Sequence, residues 1–258
     1  MVTAIEGAGT PERVWRDWGA PGRFPAWSPP TGGRLVIVAP HPDDEVLGPG
    51  GTARQAADAG VPVRIVAVTD GGASHPGSPT LRPDQLAARR EAERVEALAR
   101  LGLGGAEVLR LGLPDGAVAG AEPELTQRLS ELLAPGDVCL ATWAGDGHPD
   151  HEAVGRAAAA ASAAAGAECV EFPIWMWHWA APDDPRVPWN RLRRVELPLR
   201  VAAAKHRAVE AFQTQVRALS DDPADAAILP PAVLARLLRP SETVIVHDAA
   251  AVPLPRPL

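Results

Sequence analysis

The sequence contains no tyrosine and only two cysteines. Without tyrosine, one common side-chain donor to a developing oxyanion is excluded anywhere in the chain. Two cysteines are too few for a disulfide scaffold. Cys139 and Cys169 both lie in apolar, strand-like runs and read as buried free thiols. Basic residues are also in deficit, 25 Lys and Arg against 32 Asp and Glu, for a net charge of −7. That balance, with no basic stripe on any expected helix, argues against a nucleic-acid partner. No apolar run reaches the ~20 residues that a membrane helix needs. No N-terminal run is both basic and apolar, as a signal peptide would be. The expectation is a cytoplasmic protein with no membrane or nucleic-acid partner.

What is present builds a substantial core. With 258 residues, 46% of them hydrophobic, the chain has material for one large or two small domains. Five β-rich runs alternate with helical stretches. The expected strands are Arg34 to Ala39, Pro62 to Thr69, Ala106 to Leu111, Asp137 to Trp143 and Glu168 to Phe172. Helices are expected over about Pro49 to Ala59, Asp84 to Leu101, Glu122 to Leu133, and from His151 through an alanine-rich stretch of high helix propensity. Pro49 suits a first helical turn, so His41 to Leu47 is expected as a loop. Strands alternating with helices give a parallel sheet with right-handed crossovers. The fold class is therefore α/β, a Rossmann-like, doubly wound, mainly parallel sheet with helices on both faces.

Residues 1–33 form an N-terminal extension, with two helical turns over Glu12 to Trp18. Residues 34–258 form a single domain, with a core over 34–172 and a C-terminal elaboration over 173–258. In the elaboration, a strand at RLRRVELPL, helices at Val201 to Gln215 and Pro231 to Leu238, and a last strand at ETVIV are expected. The tail VPLPRPL is expected to be irregular. The fourth core helix and the C-terminal helices are apolar enough to be candidate faces of a homo-oligomer.

Two histidine–aspartate clusters stand out: His-Pro-Asp-Asp at 41–44 and His-Pro-Asp-His at 148–151. Each follows a strand, the first and the fourth. In the common doubly wound order 3-2-1-4-5 these strands are neighbours, and ligands bind in the crevice outside their carboxyl ends. Topology thus joins clusters that lie about a hundred residues apart in sequence. His41, Asp44 and one of His148 or His151 make two imidazoles and a carboxylate. That set suits a catalytic zinc ion with an open position for water, or another divalent ion such as Fe2+. A metal lowers the pKa of its water toward neutrality and makes it a nucleophile. Asp43 is placed to act as general base. The histidine left over can stabilise the oxyanion or protonate the leaving amine, with Asp150 orienting it. The chemistry is metal-assisted hydrolysis of an amide or ester. The Gly48-x-Gly50-Gly51 run lacks the spacing of a phosphate loop and reads as close helix–sheet packing.

With those residues in view, APHPDDEVLGPGGT and GHPDHEAVGRA resemble the PIG-L/LmbE-like deacetylases, zinc-dependent enzymes that remove N-acetyl groups from amino sugars. Thr69-Asp70-Gly71, Arg90-x-x-Glu93, Leu113-Pro114-Asp115, Lys205 and Thr214-Gln215 extend the likeness over about residues 34–215. The resemblance implies that His41, Asp44 and His151 bind zinc and that Asp43 is the general base. It implies that His148, backed by Asp150, stabilises the oxyanion or acts as acid, and that Asp115 binds sugar hydroxyls. It further implies an N-acetylated small-molecule substrate, an amino sugar or a glycosylated natural product. Some members carry a tyrosine where this chain has Asp146. Here Asp146 is expected to raise the pKa of His148 and keep it protonated. A different metal-dependent amide or ester hydrolase, or an inactive metal- or nucleotide-binding protein, are the alternatives.

Two further groups are candidates for the substrate pocket. In an extended chain Trp175, Trp177 and Trp179 share one face. That face, Trp177 included, reads either as a half-buried edge over the core or as an aromatic wall of the substrate pocket; Met176 and His178 share the opposite face, and His178 is a further candidate to face the site. His75 lies in the loop past the second strand, on the crevice side.

Overall fold

The computed structural model describes residue 5 and residues 7–247; the tail segment VPLPRPL lies outside the described residues. One seven-stranded sheet organises them, in the order β3-β2-β1-β4-β5-β7-β6. The first five strands are β1 (Leu35–Ala39), β2 (Val63–Thr69), β3 (Glu107–Leu113), β4 (Val138–Thr142) and β5 (Glu168–Phe172), and all their pairings are parallel. The expected 3-2-1-4-5 order is therefore present. It is extended at the β5 edge by two antiparallel strands, β6 (Leu192–Glu196) and β7 (Ser241–Val246).

The central strands read as continuous apolar runs because both faces are covered. All five residues of β1 and of β4 are buried. Leu35 and Ile37 point into one core layer, and Val36 and Val38 into the other. The helices before the elaboration are α1 (Glu12–Asp17), α2 (Asp44–Leu47), α3 (Gly50–Asp58), α4 (Pro83–Leu101), α5 (Glu122–Leu132) and α6 (Pro149–Ala165). The elaboration adds α7 (Met176–Trp179), α8 (Leu199–Val209), α9 (Gln213–Val216) and α10 (Pro231–Leu237). Among the described residues no helix is long and apolar enough to cross a membrane.

Two local differences from the sequence reading matter. Asp44–Leu47 form a helical turn within the segment expected as loop. The helix expected over Val201 to Gln215 is broken into α8 and α9. Its second part is held elsewhere, by Glu93 of α4 accepting from the Thr214 amide at 2.9 Å and its hydroxyl at 2.6 Å. The N-terminal extension packs against the elaboration through aromatic rings. Trp15 meets Trp177 edge-on at 5.1 Å, and Trp18 meets Trp189 at 4.8 Å.

Helix α6 carries the second cluster, and its seat on β4 is tight. A Cβ at Gly155 would stand 2.5 Å from the Thr142 carbonyl oxygen and 2.6 Å from the Ala144 nitrogen. Both are backbone atoms that cannot rotate away. Gly155→Ala is expected to destabilise the fold by about 1–3 kcal/mol through overpacking. A denaturant midpoint equal to that of the parent chain would refute this.

Candidate active site

His41 lies two residues past the end of β1. Its loop is pinned because the Thr69 amide and hydroxyl both donate to the Pro40 carbonyl, at 3.0 and 2.8 Å. Asp44 opens α2, and its Oδ2 accepts from the His41 amide at 3.0 Å. His148 and His151 come from the start of α6, beyond β4, and β1 and β4 are paired neighbours. The clusters therefore meet as the topology requires.

Three donor atoms face a common point. His41 Nδ1 is 3.2 Å from Asp44 Oδ2, His151 Nε2 is 3.3 Å from His41 Nδ1, and His151 Nε2 is 3.4 Å from Asp44 Oδ2. A tetrahedral ion at zinc-ligand distances spaces its ligand atoms about 3.3–3.5 Å apart. The triangle thus has the dimensions of one face of such a site. The far side of each imidazole is also held. His151 Nδ1 lies 2.8 Å from Asp146 Oδ2, and His41 Nε2 lies 3.2 Å from Asp115 and 3.3 Å from Asp150. Carboxylates there place the ring proton away from the centre and leave the inner nitrogen as a lone pair.

The electrostatics agree. Burial opposes charge on His41, yet Asp115, Asp150 and Asp44 together hold its pKa well above the ordinary value. Burial would raise Asp44, but the His151 and His41 rings hold it below the usual carboxylate range. The cluster attracts positive charge at its centre, and this donor set fits a divalent cation.

Asp43 points into the same cavity. Burial raises its carboxyl to about 6, against the pull of the Arg90 guanidinium 3.1 Å away. Beneath it, buried Glu45 accepts from the Asp43 amide at 3.2 Å. Arg90 also donates to the Gly71 carbonyl at 3.0 Å, so it ties the base to the loop after β2. His148 caps α6, its Nδ1 accepting from the Asp150 amide at 3.2 Å. Burial, with the charges of His151 and His41, pushes its pKa down to about 3. It is a neutral ring whose Nε2–H is free to donate. The cavity holding these groups has a volume of about 360 Å³.

Residues 36–162 match the family model described as GlcNAc-PI de-N-acetylase, PIG-L. They belong to the PIG-L family. A curated relative, the 1D-myo-inositol 2-acetamido-2-deoxy-alpha-D-glucopyranoside deacetylase of Actinosynnema mirum, is 38% identical over 144 residues. That match covers 46% of this chain, and the chain spans only half the length of the relative. A conserved protein of Thermus thermophilus superposes with a TM-score of 0.58 at 27% identity, covering 86% of this chain and 99% of that one. The A40926 pseudoaglycone deacetylase shares the fold, with a TM-score of 0.57 at 22% identity, covering 83% of this chain and 96% of that one.

Within the PIG-L segment the structure brings together His41, Asp43, Asp44, Asp115, His148 and His151 around the cavity. Asp150 is adjacent but wired differently from expectation. Its carboxylate accepts from the Gly116 and Val118 amides, at 2.7 and 3.0 Å, and reaches His41; only its backbone touches His148. Asp146 does not protonate His148. It supports His151 and accepts from the amides of Ile174, Trp175 and Met176 at 2.9–3.0 Å.

Those three bonds overturn the extended reading of the tryptophan segment. Asp146 caps a helical turn there, and in a helix residues two apart point to nearly opposite sides. Trp175 lines the cavity, while Trp177 turns away beneath Trp15 with Arg239 over its ring at 4.1 Å. His178 is buried away from the site, its Nδ1 3.0 Å from Arg236. His75 is buried beside Ser74; Ser74 and Pro76 line the cavity in its place. Sequence reasoning gave no role to Arg90 and misplaced Asp146. An arginine one turn ahead of the buried Glu93 on α4 was the available signal for the first.

Proposed function

We propose that this protein is a metal-dependent hydrolase that removes the N-acetyl group of an amino sugar or a glycosylated small molecule, with zinc as the metal. The observation that carries the reading is the donor triangle of His41, Asp44 and His151, flanked in one cavity by a buried carboxylate and a neutral imidazole. The deacetylase activities of the Actinosynnema mirum relative and of the A40926 pseudoaglycone enzyme support it.

His41, Asp44 and His151 would hold a divalent ion, which would supply Lewis-acid polarisation of the acetyl carbonyl and an acidified water. Asp43 takes the proton of the attacking water. Its raised pKa and its tie to Arg90 suit a base that must later return that proton to the leaving amine. His148, neutral and fixed through Nδ1, donates its Nε2–H to the oxyanion. Asp146 and Asp150 hold His151 and His41 in the tautomers that bind metal. The free thiols Cys139 and Cys169 support a reducing, cytoplasmic setting.

The test is acetate release from N-acetylglucosamine and its glycosides by protein loaded with one equivalent of zinc. Chelation should abolish release and added zinc should restore it. If the zinc-loaded protein releases no acetate from any of them, this reading is wrong.

A further inference from the structure

A second cavity adjoins the catalytic one. The two share only Leu47, and every residue lining the second is buried. Its volume is about 20 Å³. That holds one water or one monatomic ion, and is too small for phosphate or sulfate.

Charge sets this cavity apart. Lys205 of α8, Arg236 of α10 and Arg239 just beyond it all line it. The carboxylates paired with these groups are Glu242 of β7 and Glu12 of α1. Three cations against two carboxylates leave one positive charge in excess inside the protein. A buried charge without a counter-charge is strongly unfavourable. The strain on these groups follows. Burial pulls the Arg236 pKa down, Glu12 opposes that pull and Arg239 adds to it. Burial likewise lowers Lys205 against the pull of Glu242.

The carboxylates are fully engaged. Glu242 Oε1 accepts from the Gly51 amide and from Lys205, both at 2.6 Å, and its Oε2 accepts from the Thr52 amide and hydroxyl at 2.8 and 2.7 Å. Glu12 accepts from Arg239 Nε at 3.0 Å and Nη2 at 2.6 Å. The cations have donors left over. Lys205 spends two of its three N–H bonds, on Glu242 and on the Gly48 carbonyl at 2.9 Å. Arg236 Nη1 donates to the Thr10 carbonyl at 2.6 Å, and its Nη2 lies 3.0 Å from His178 Nδ1. Among the described residues Arg236 Nε and Arg239 Nη1 meet no protein acceptor, and neither nitrogen is sealed off by protein.

We infer that this cavity is a halide site, which takes one chloride-sized monovalent anion between Lys205, Arg236 and Arg239. The inference stands apart from the proposed activity. The surrounding charge disfavours a cation, the volume excludes a polyatomic anion, and a water would meet the N–H groups but leave the charge. The anion joins α8 and α10 behind α2, whose Leu47 lines both cavities and whose Asp44 is a corner of the donor triangle. An occupied site therefore braces the metal-binding turn from behind.

The test is a crystal of the full chain grown in bromide and measured at the bromine absorption edge. An anomalous peak between the three cations is expected. Water there, with bromide bound only elsewhere or not at all, overturns the site. In solution, chloride replaces methanesulfonate, which is too large to enter, at constant ionic strength. Each tenfold rise in chloride above its dissociation constant should raise the thermal midpoint by about 3–6 °C. A midpoint that ignores chloride overturns the inference. Arg239→Gln removes the excess charge, and the partly exposed Glu12 can turn to water. Its chloride affinity should fall at least 10-fold. A variant that keeps the full chloride dependence puts the anion elsewhere and overturns the assignment. Should Arg239→Gln fail to fold, the bromide map of the parent chain decides.

Discussion

Asp43→Ala is expected to lower kcat/KM by roughly 10²- to 10⁴-fold while the protein still binds its metal, because general-base catalysis contributes in that range. Asp43 points into the cavity beside the donor triangle without belonging to it, so its loss leaves all three donor atoms in place. Removing it also leaves the buried Arg90 without its carboxylate, although the Gly71 and Pro42 carbonyls still accept from it. Asp43→Asn separates the two effects, since it keeps the shape and a polar partner for Arg90 but cannot take a proton. Both variants should therefore be inactive, and Asp43→Asn should show the smaller change in thermal midpoint. Zinc stoichiometry by metal analysis and acetate release by coupled assay decide the matter. A zinc-loaded Asp43→Asn protein that keeps its full rate removes Asp43 from the mechanism.

The second large effect is expected at Asp146, a residue buried outright and serving two structures at once. One carboxylate oxygen holds His151 Nδ1, and the two oxygens between them accept three amides of the 174–176 turn. Asp146→Ala should weaken metal binding roughly 10- to 100-fold, the usual cost of losing a partner behind a ligating histidine. It also leaves three buried amides unsatisfied at about 1–3 kcal/mol each. At roughly 2–4 °C per kcal/mol for a chain of this size, the thermal midpoint should drop by about 6 °C or more. Asp146→Asn retains an acceptor oxygen and should lose metal affinity with a smaller thermal shift. If Asp146→Asn binds zinc as tightly as the parent chain, Asp146 is a cap for the turn and nothing more. If Asp146→Ala melts normally, the cap is not holding the turn.

The alternation of β-rich and helical runs was enough to order the five parallel strands. Right-handed crossovers and the short connections between neighbours leave few ways to arrange them. The metal-site residues were legible for a related reason. His41 and Asp44 are three residues apart in one loop, His148 and His151 three apart at the start of one helix, and each spacing is local. Once β1 and β4 are neighbours, the two local groups must meet.

What the sequence misjudged depends on contacts between distant segments. The tryptophan run alternates with period two and reads as a strand. It is a helical turn because a carboxylate about thirty residues earlier caps its amides, and no pattern within the run reports that. Asp146 sits two residues from His148 in sequence, yet the turn into α6 directs it to His151. The broken helix of the elaboration is a similar case, since its second part is held by Glu93 of α4, 121 residues earlier.

The sequence by itself determined the sheet order, the ligand-bearing loops and the class of chemistry, because each rests on local spacing plus the handedness of βαβ connections. Only the tertiary structure decided which carboxylate backs which histidine, which tryptophan faces the cavity, and that Ile5 and Leu229, more than two hundred residues apart, line one cavity. Those are settled by burial and by competition for buried hydrogen-bond partners, and both exist only once the chain has closed on itself.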